Sequence, residues 1–156
     1  MDKNLRKEKE GITTAIGLWR YGNDYYNAAL TINKNHFESA FMPFYSLIGQ
    51  SIELSLKAYL LANNIQLNKL RYKYGHDLIK LLLKSNDNNL ERFVTLSSGN
   101  TAAIDLLNIE YNSKRYHYIK TGKVMLPSTE LIIDAAQKLT INLQEFCHDN
   151  SQWEFI

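Results

Sequence analysis

Pro43 and Pro127 are the two prolines of this sequence, and seven glycines are spread over its 156 residues. Proline interrupts helices and glycine loosens them, so a chain this poor in both, with apolar residues recurring near every 3.6 positions, is expected to be all-helical. No repeat, linker or low-complexity tract divides it. A chain of this length buries roughly two-thirds of the surface it exposes when unfolded. One domain is therefore expected over 1–156, with its core at about 12–148 and residues 1–10 and 149–156 as flexible or docking tails.

The spacing predicts a first helix over about 12–33, with Ile12, Ile16, Trp19, Asn23, Tyr26 and Leu30 on one stripe. Gly17 and Gly22 either weaken it locally or allow close helix approach, and close packing is the favoured reading. A second helix, about 37–64, is apolar on nearly every side, as a central helix would be, and Pro43 either stands near its start or kinks it. Glu53 and Lys57 lie on its narrow polar strip, four residues apart with the acid first. Exposed, such a pair contributes about 0.2–0.5 kcal/mol. Buried, the carboxylate needs a partner, and an arginine from elsewhere in the chain is expected to supply it.

A polar connector over 65–75 leads to a short helix at about 76–86. Another short helix and turn follow, then a helix at about 100–112 and an irregular stretch over 114–127. Pro127 and Ser128 introduce a last helix reaching about 148, striped with Ile132, Ala136, Leu139, Leu143 and Phe146. The expected architecture is an up-and-down helical bundle of four to six helices.

Two stretches concentrate chemically capable side chains. "RYKYGHDLIKLL", residues 71–82, sets Arg71 and His76 five positions apart where the connector becomes a helix. "YNSKRYHYIKTGK", residues 111–123, interleaves Lys114, Arg115, His117, Lys120 and Lys123 with Tyr111, Tyr116 and Tyr118, offering phosphate contacts and flat faces for bases. Each has a structural alternative. His76 stands between Gly75 and Asp77, so its ring would hydrogen-bond the neighbouring helix end and leave Arg71 in solvent. The tyrosines of the second stretch would plug the end of the bundle, with Arg115 paired to Glu53.

The succession "FYSLIGQSIELSLKAYLL", "YGHDLIKLL", "LLNIEYNSKRYHYIKTG" and a closing helix is similar to the HEPN family of prokaryotic helical domains, over about residues 12–146. The resemblance implies a bundle of four or more helices, commonly a homodimer, in toxin–antitoxin modules, phage defence and paired nucleotidyltransferase systems. Some members are metal-independent endoribonucleases that use an arginine and a histidine four to six residues apart. Others serve as binding or partner domains. Arg71 and His76 meet that spacing, but the family's catalytic pair normally lies late in the chain, where this sequence has Arg115 and His117 only two apart.

Metal-free RNA cleavage needs a base for the 2′-hydroxyl, an acid for the leaving oxygen and a cation for the phosphorane. Imidazole and guanidinium suit those roles, so Arg71, His76, Arg115 and His117 are the catalytic candidates. Glu53, Lys57, Tyr111, Lys114, Arg115, Tyr116, Tyr118 and Lys120 are the binding candidates. The expected function is nucleotide, RNA or partner binding without strong catalysis. The alternatives are a metal-independent endoribonuclease and a structural partner subunit of a nucleotidyltransferase. An antitoxin or a nucleotidyltransferase is the expected protein partner, beside a second copy of the chain.

Hydrophobic residues make up 45% and charged residues 22%, which excludes a mainly disordered chain, and a net charge of +2 is too balanced to imply nucleic-acid binding by bulk charge. The single cysteine, Cys147, allows no intrachain disulfide and is read as a packing residue. No spacing resembles a zinc site, and neither metal nor cofactor is expected. The charged start "MDKNLRKEKEG" and the short apolar runs give no signal peptide or membrane span, and a cytoplasmic setting is expected.

Overall fold

The computed structural model describes residues 13–113 and 121–151. Its described residues form an all-α bundle: α1 (Ala15–Asn35), α2 (Phe37–Ala62), α3 (Leu78–Asp87), α4 (Ser98–Asn112) and α5 (Thr129–Asp149), with short helical turns between α2 and α3 and between α3 and α4. Helix α2 is central, packing against each of the other four. Helices α1, α2 and α5 enclose the main core, built on Ile16, Trp19, Tyr26, Phe44, Ile48, Ile52, Leu56, Ile132, Leu139 and Leu143. Each such side chain contributes about 1.5–3 kcal/mol on burial, so the α2 surface alone carries much of the drive to fold.

Local chemistry sets the helix ends. The Thr14 hydroxyl accepts from the Gly17 N–H to start α1, and Ser128 does the same for Leu131 at the head of α5. At α4 the cap is reciprocal: Ser97 accepts from the Asn100 N–H while the Asn100 side chain accepts from the Ser97 N–H. Asn64, with φ of 64°, closes α2 by sending the Ile65 N–H back to the Leu60 carbonyl.

Helix α2 is kinked. Ala40 leaves helical geometry at φ −141° and ψ 36°. Pro43, three residues on, has no N–H for the carbonyl of Ser39, which removes the bond that would hold the first turn in line. Phe37, Phe44 and Tyr45 fill the bend edge-to-face, and the Tyr45 hydroxyl donates to the Pro127 carbonyl at 2.7 Å, tying the kink to the start of α5. On α1, Gly22 rather than Asn23 occupies the buried seam. A methyl at Gly22 would stand 3.1–3.3 Å from Ser55 and Ser51 of α2, the close approach expected of it.

The connector before α3 is more than the polar link read from the sequence. Leu67–Lys69 is helical and runs directly into a π-helical turn over Leu70–Tyr74. The reason is tertiary: Leu70 and Tyr74 sit four apart and both are buried, so the connector has an apolar face that packs. Among the described residues, no helix is long and apolar enough to cross a membrane.

Candidate functional site

The approach to α3 is a sequence of tight turns. The Gly75 N–H bonds to the Leu70 carbonyl at 3.1 Å and closes the π-turn, and the Asp77 N–H returns to the Tyr74 carbonyl at 3.1 Å. Gly75 lies between them at φ 54° and ψ −121°, a conformation that side chains with a Cβ disfavour and that the first central position of a type II′ turn requires. His76 occupies the next position, so its backbone is set by the turn before it and the cap after it.

That cap is Asp77, whose Oδ1 accepts from the N–H groups of Ile79 and Lys80 at 3.1 Å each. Asn108 of α4 braces it from outside the helix. Its amide nitrogen donates to the same Asp77 oxygen, and its carbonyl accepts from the Leu78 N–H at 2.8 Å. His76 therefore does not serve the helix end, as one sequence reading had it, because Asp77 already fills that role.

The His76 ring turns instead to α2. Its Nδ1 lies 3.1 and 3.0 Å from the two carboxylate oxygens of Glu53. Glu53 is buried, and two further donors converge on it: Lys57 Nζ at 2.6 Å and the Tyr111 hydroxyl at 2.5 Å. An ionised carboxylate only accepts, so His76 Nδ1 carries a proton, and a neutral ring then has its basic lone pair at Nε2. The side chains of Glu53 and Lys57 are 4% and 12% exposed, whereas that of His76 is 44% exposed. The cluster is thus a buried ion whose outermost ligand faces solvent.

Its electrostatics are those of a neutralised interior carboxylate. Burial alone would raise the Glu53 carboxyl, but the Lys57 charge, with hydrogen bonds from Lys57, Tyr111 and His76, holds it below the ordinary carboxylate range. Burial, followed by the charge and hydrogen bond of Glu53, pushes the Tyr111 phenol far upward, so it remains a neutral donor. Gly49 makes room for it, since a Cβ there would overlap the Tyr111 ring.

The residues predicted for the site divide into three groups. Glu53, Lys57, His76 and Tyr111 come together, although Glu53 and Tyr111 are interior groups that reach a ligand only through His76. Arg71 is exposed on the π-turn. Lys114, Arg115, Tyr116, His117, Tyr118 and Lys120 lie outside the described residues. The partners of Glu53 named above are a lysine, a histidine and a tyrosine, where an arginine was expected. Cys147 is fully buried, with its thiol pushed up to about 12 by burial, which suits a packing residue.

Sequence reasoning passed over Gly49 and Asn108. A glycine inside an otherwise apolar helix signals close approach, and Gly49 carried that signal. Asn108 carried none, because its role depends on which helix end faces it.

An all-α bundle with a buried polar cluster beneath an exposed histidine defines the class of structure. The chain matches the family model described as HEPN domain over residues 18–149, and it belongs to that family. No curated protein and no solved structure matches it.

Proposed function

We propose that this HEPN domain binds RNA or a nucleotide at the His76 surface, in a prokaryotic toxin–antitoxin or defence system, as a homodimer with an antitoxin or nucleotidyltransferase partner. One observation carries the reading: a solvent-facing imidazole is held by its Nδ1 to a buried carboxylate of α2. Taking that carboxylate out of water is costly. A histidine needed only to complete a helix end would not require it, whereas a ring that must meet a phosphate or a base in one orientation would. Arg71, five residues earlier, is an exposed residue of the π-turn.

The test is titration of labelled single-stranded RNA and of a mononucleotide into the purified chain. His76→Ala is expected to weaken binding at least tenfold while leaving the unfolding midpoint within a few degrees of wild type, because the imidazole is the exposed member of the cluster. Equal affinity in both proteins would overturn the reading.

A second reading, metal-independent RNA cleavage, is favoured by the same tether, since a carboxylate that orients an imidazole is the arrangement a general base uses. In EDTA, RNA cleavage would then be lost in His76→Ala and lowered in Glu53→Gln. Cleavage unchanged in both variants rules it out.

A further inference from the structure

A second feature lies beside His76. The π-turn and α3 enclose an open pocket of about 390 Å³ lined by Lys73, Tyr74, Lys80, Leu83, Lys84 and Asp87. Three of its six lining side chains are ammonium groups. Lys80 and Lys84 are four apart on one helix, a like-charge pair that costs α3 a few tenths of a kcal/mol. The acids at the two ends leave the arrangement cationic. Asp77 stands 3.8 Å from Lys80, which remains 63% exposed, and Asp87 is at the C-terminal end of α3. Lys73 lies over the Tyr74 ring, 5.5 Å from its centre, which places its charge at the pocket wall. Leu83, 60% exposed, adds an apolar surface beside the cations.

Mutually repelling ammonium groups around a concavity gain most when an anion stands among them. Tyr74 lines the pocket and His76 follows two residues later in the chain, a backbone separation of at most about 7 Å that a short single strand can span.

We propose that this pocket is a phosphate-binding subsite that holds the backbone of an RNA strand whose neighbouring nucleotide meets His76. The inference rests on the His76 reading and narrows it, because a ligand that spans both places is an oligonucleotide and not a free mononucleotide. Lys73, Lys80 and Lys84 make the phosphate contacts, and Leu83 packs against a ribose or base. The contacts carry no sequence information, so the subsite contributes affinity without base preference.

The test compares a fluorescent octauridylate with uridine monophosphate, using the full chain, Lys80→Glu/Lys84→Glu, and Arg20→Glu/Lys34→Glu at two exposed positions of α1 as a charge-matched control. Octamer affinity is expected to fall at least tenfold in the double variant and less than twofold in the control. Mononucleotide affinity should not change. The slope of log K against log salt should shrink by about 1.4, the loss expected for two phosphate contacts on a single strand. Helicity by circular dichroism checks that both variants fold.

An octamer affinity equal to wild type in the double variant, with His76→Ala still impaired, overturns the subsite and leaves the His76 reading standing. A parallel loss of mononucleotide binding also overturns it, since the lysines would then belong to the His76 site itself. Mononucleotide binding without octamer binding by the wild-type chain overturns the subsite alone, and binding of neither probe removes both.

Discussion

Where α4 meets α5, the polar group taken fully out of water is neutral. The Asn100 amide is completely buried and donates to Asp134 at 2.9 Å and to the Leu131 carbonyl at 3.1 Å, while Lys138 donates to its oxygen at 3.0 Å. The ions it meets keep their water: the side chains of Asp134 and Lys138 are 45% and 34% exposed. Where α2 meets α4 and the turn before α3, the buried group is the ion, and the imidazole is the one left outside. An amide carries no charge to neutralise, so the first joint needs only hydrogen bonds, from the Leu131 carbonyl and the two surface ions. A carboxylate must be neutralised locally: Lys57 supplies the charge, and His76, which solvent and ligands can reach, supplies one of the hydrogen bonds. The first arrangement holds two helices together, and the second couples the core to a surface histidine.

Glu53→Ala should break the contrast most severely. It leaves the nearly buried Lys57 ammonium and the Tyr111 hydroxyl without their acceptor, at a cost of about 3–5 kcal/mol in urea unfolding. Asn100→Ala strands no charge and should cost about 1–3 kcal/mol by the same measurement. If the two costs came out equal, the distinction between buried ion and buried amide would be empty.

Gly75→Ala should cost about 1 kcal/mol through strain at positive φ. It should also weaken RNA binding, because it moves the turn that presents His76; the same substitution at Gly99 should leave binding intact. Acidity separates the joints further. Glu53 has a folded-state pKa below its ordinary 4.5, so its contribution is complete above pH 4.5 and is lost as pH falls toward the folded value. Thermal scans below pH 4.5 should therefore show a steeper decline for wild type than for Glu53→Gln. Tyr111 acts at the other extreme: its phenol is raised from 10.0, so stability is lost as pH rises above that value and the unfolded chain ionises. The smallest effect is that of salt, which should screen the exposed Asp134–Lys138 pair and leave the Glu53–Lys57 pair nearly untouched.

Several of these features were legible in the residues themselves. The helical pattern around Ile16, Trp19 and Tyr26, the central character of α2, and the start of α5 at Ser128 follow from spacing and capping chemistry that act within a turn or two of helix. The Glu53–Lys57 pair was legible for the same reason, since four residues on a helix is one turn. The third and fourth members of the cluster were not. His76 is 23 residues from Glu53 and Tyr111 is 58, and no local rule selects a histidine or a tyrosine over the expected arginine. The packed connector also escaped notice, because Leu70 and Tyr74 are too few to register as a periodic stripe.

By itself, the sequence determined that this chain is a helical bundle of the HEPN family, because backbone hydrogen bonding and apolar periodicity are short-range properties that residue order encodes directly. Only the tertiary structure decided what Glu53 is for. A carboxylate on a helix becomes a buried, triply ligated anchor only when α2, α4 and the turn at Gly75 converge on it. Which donors reach a buried charge is a question of distance in space, and folding sets that distance by packing the whole bundle at once.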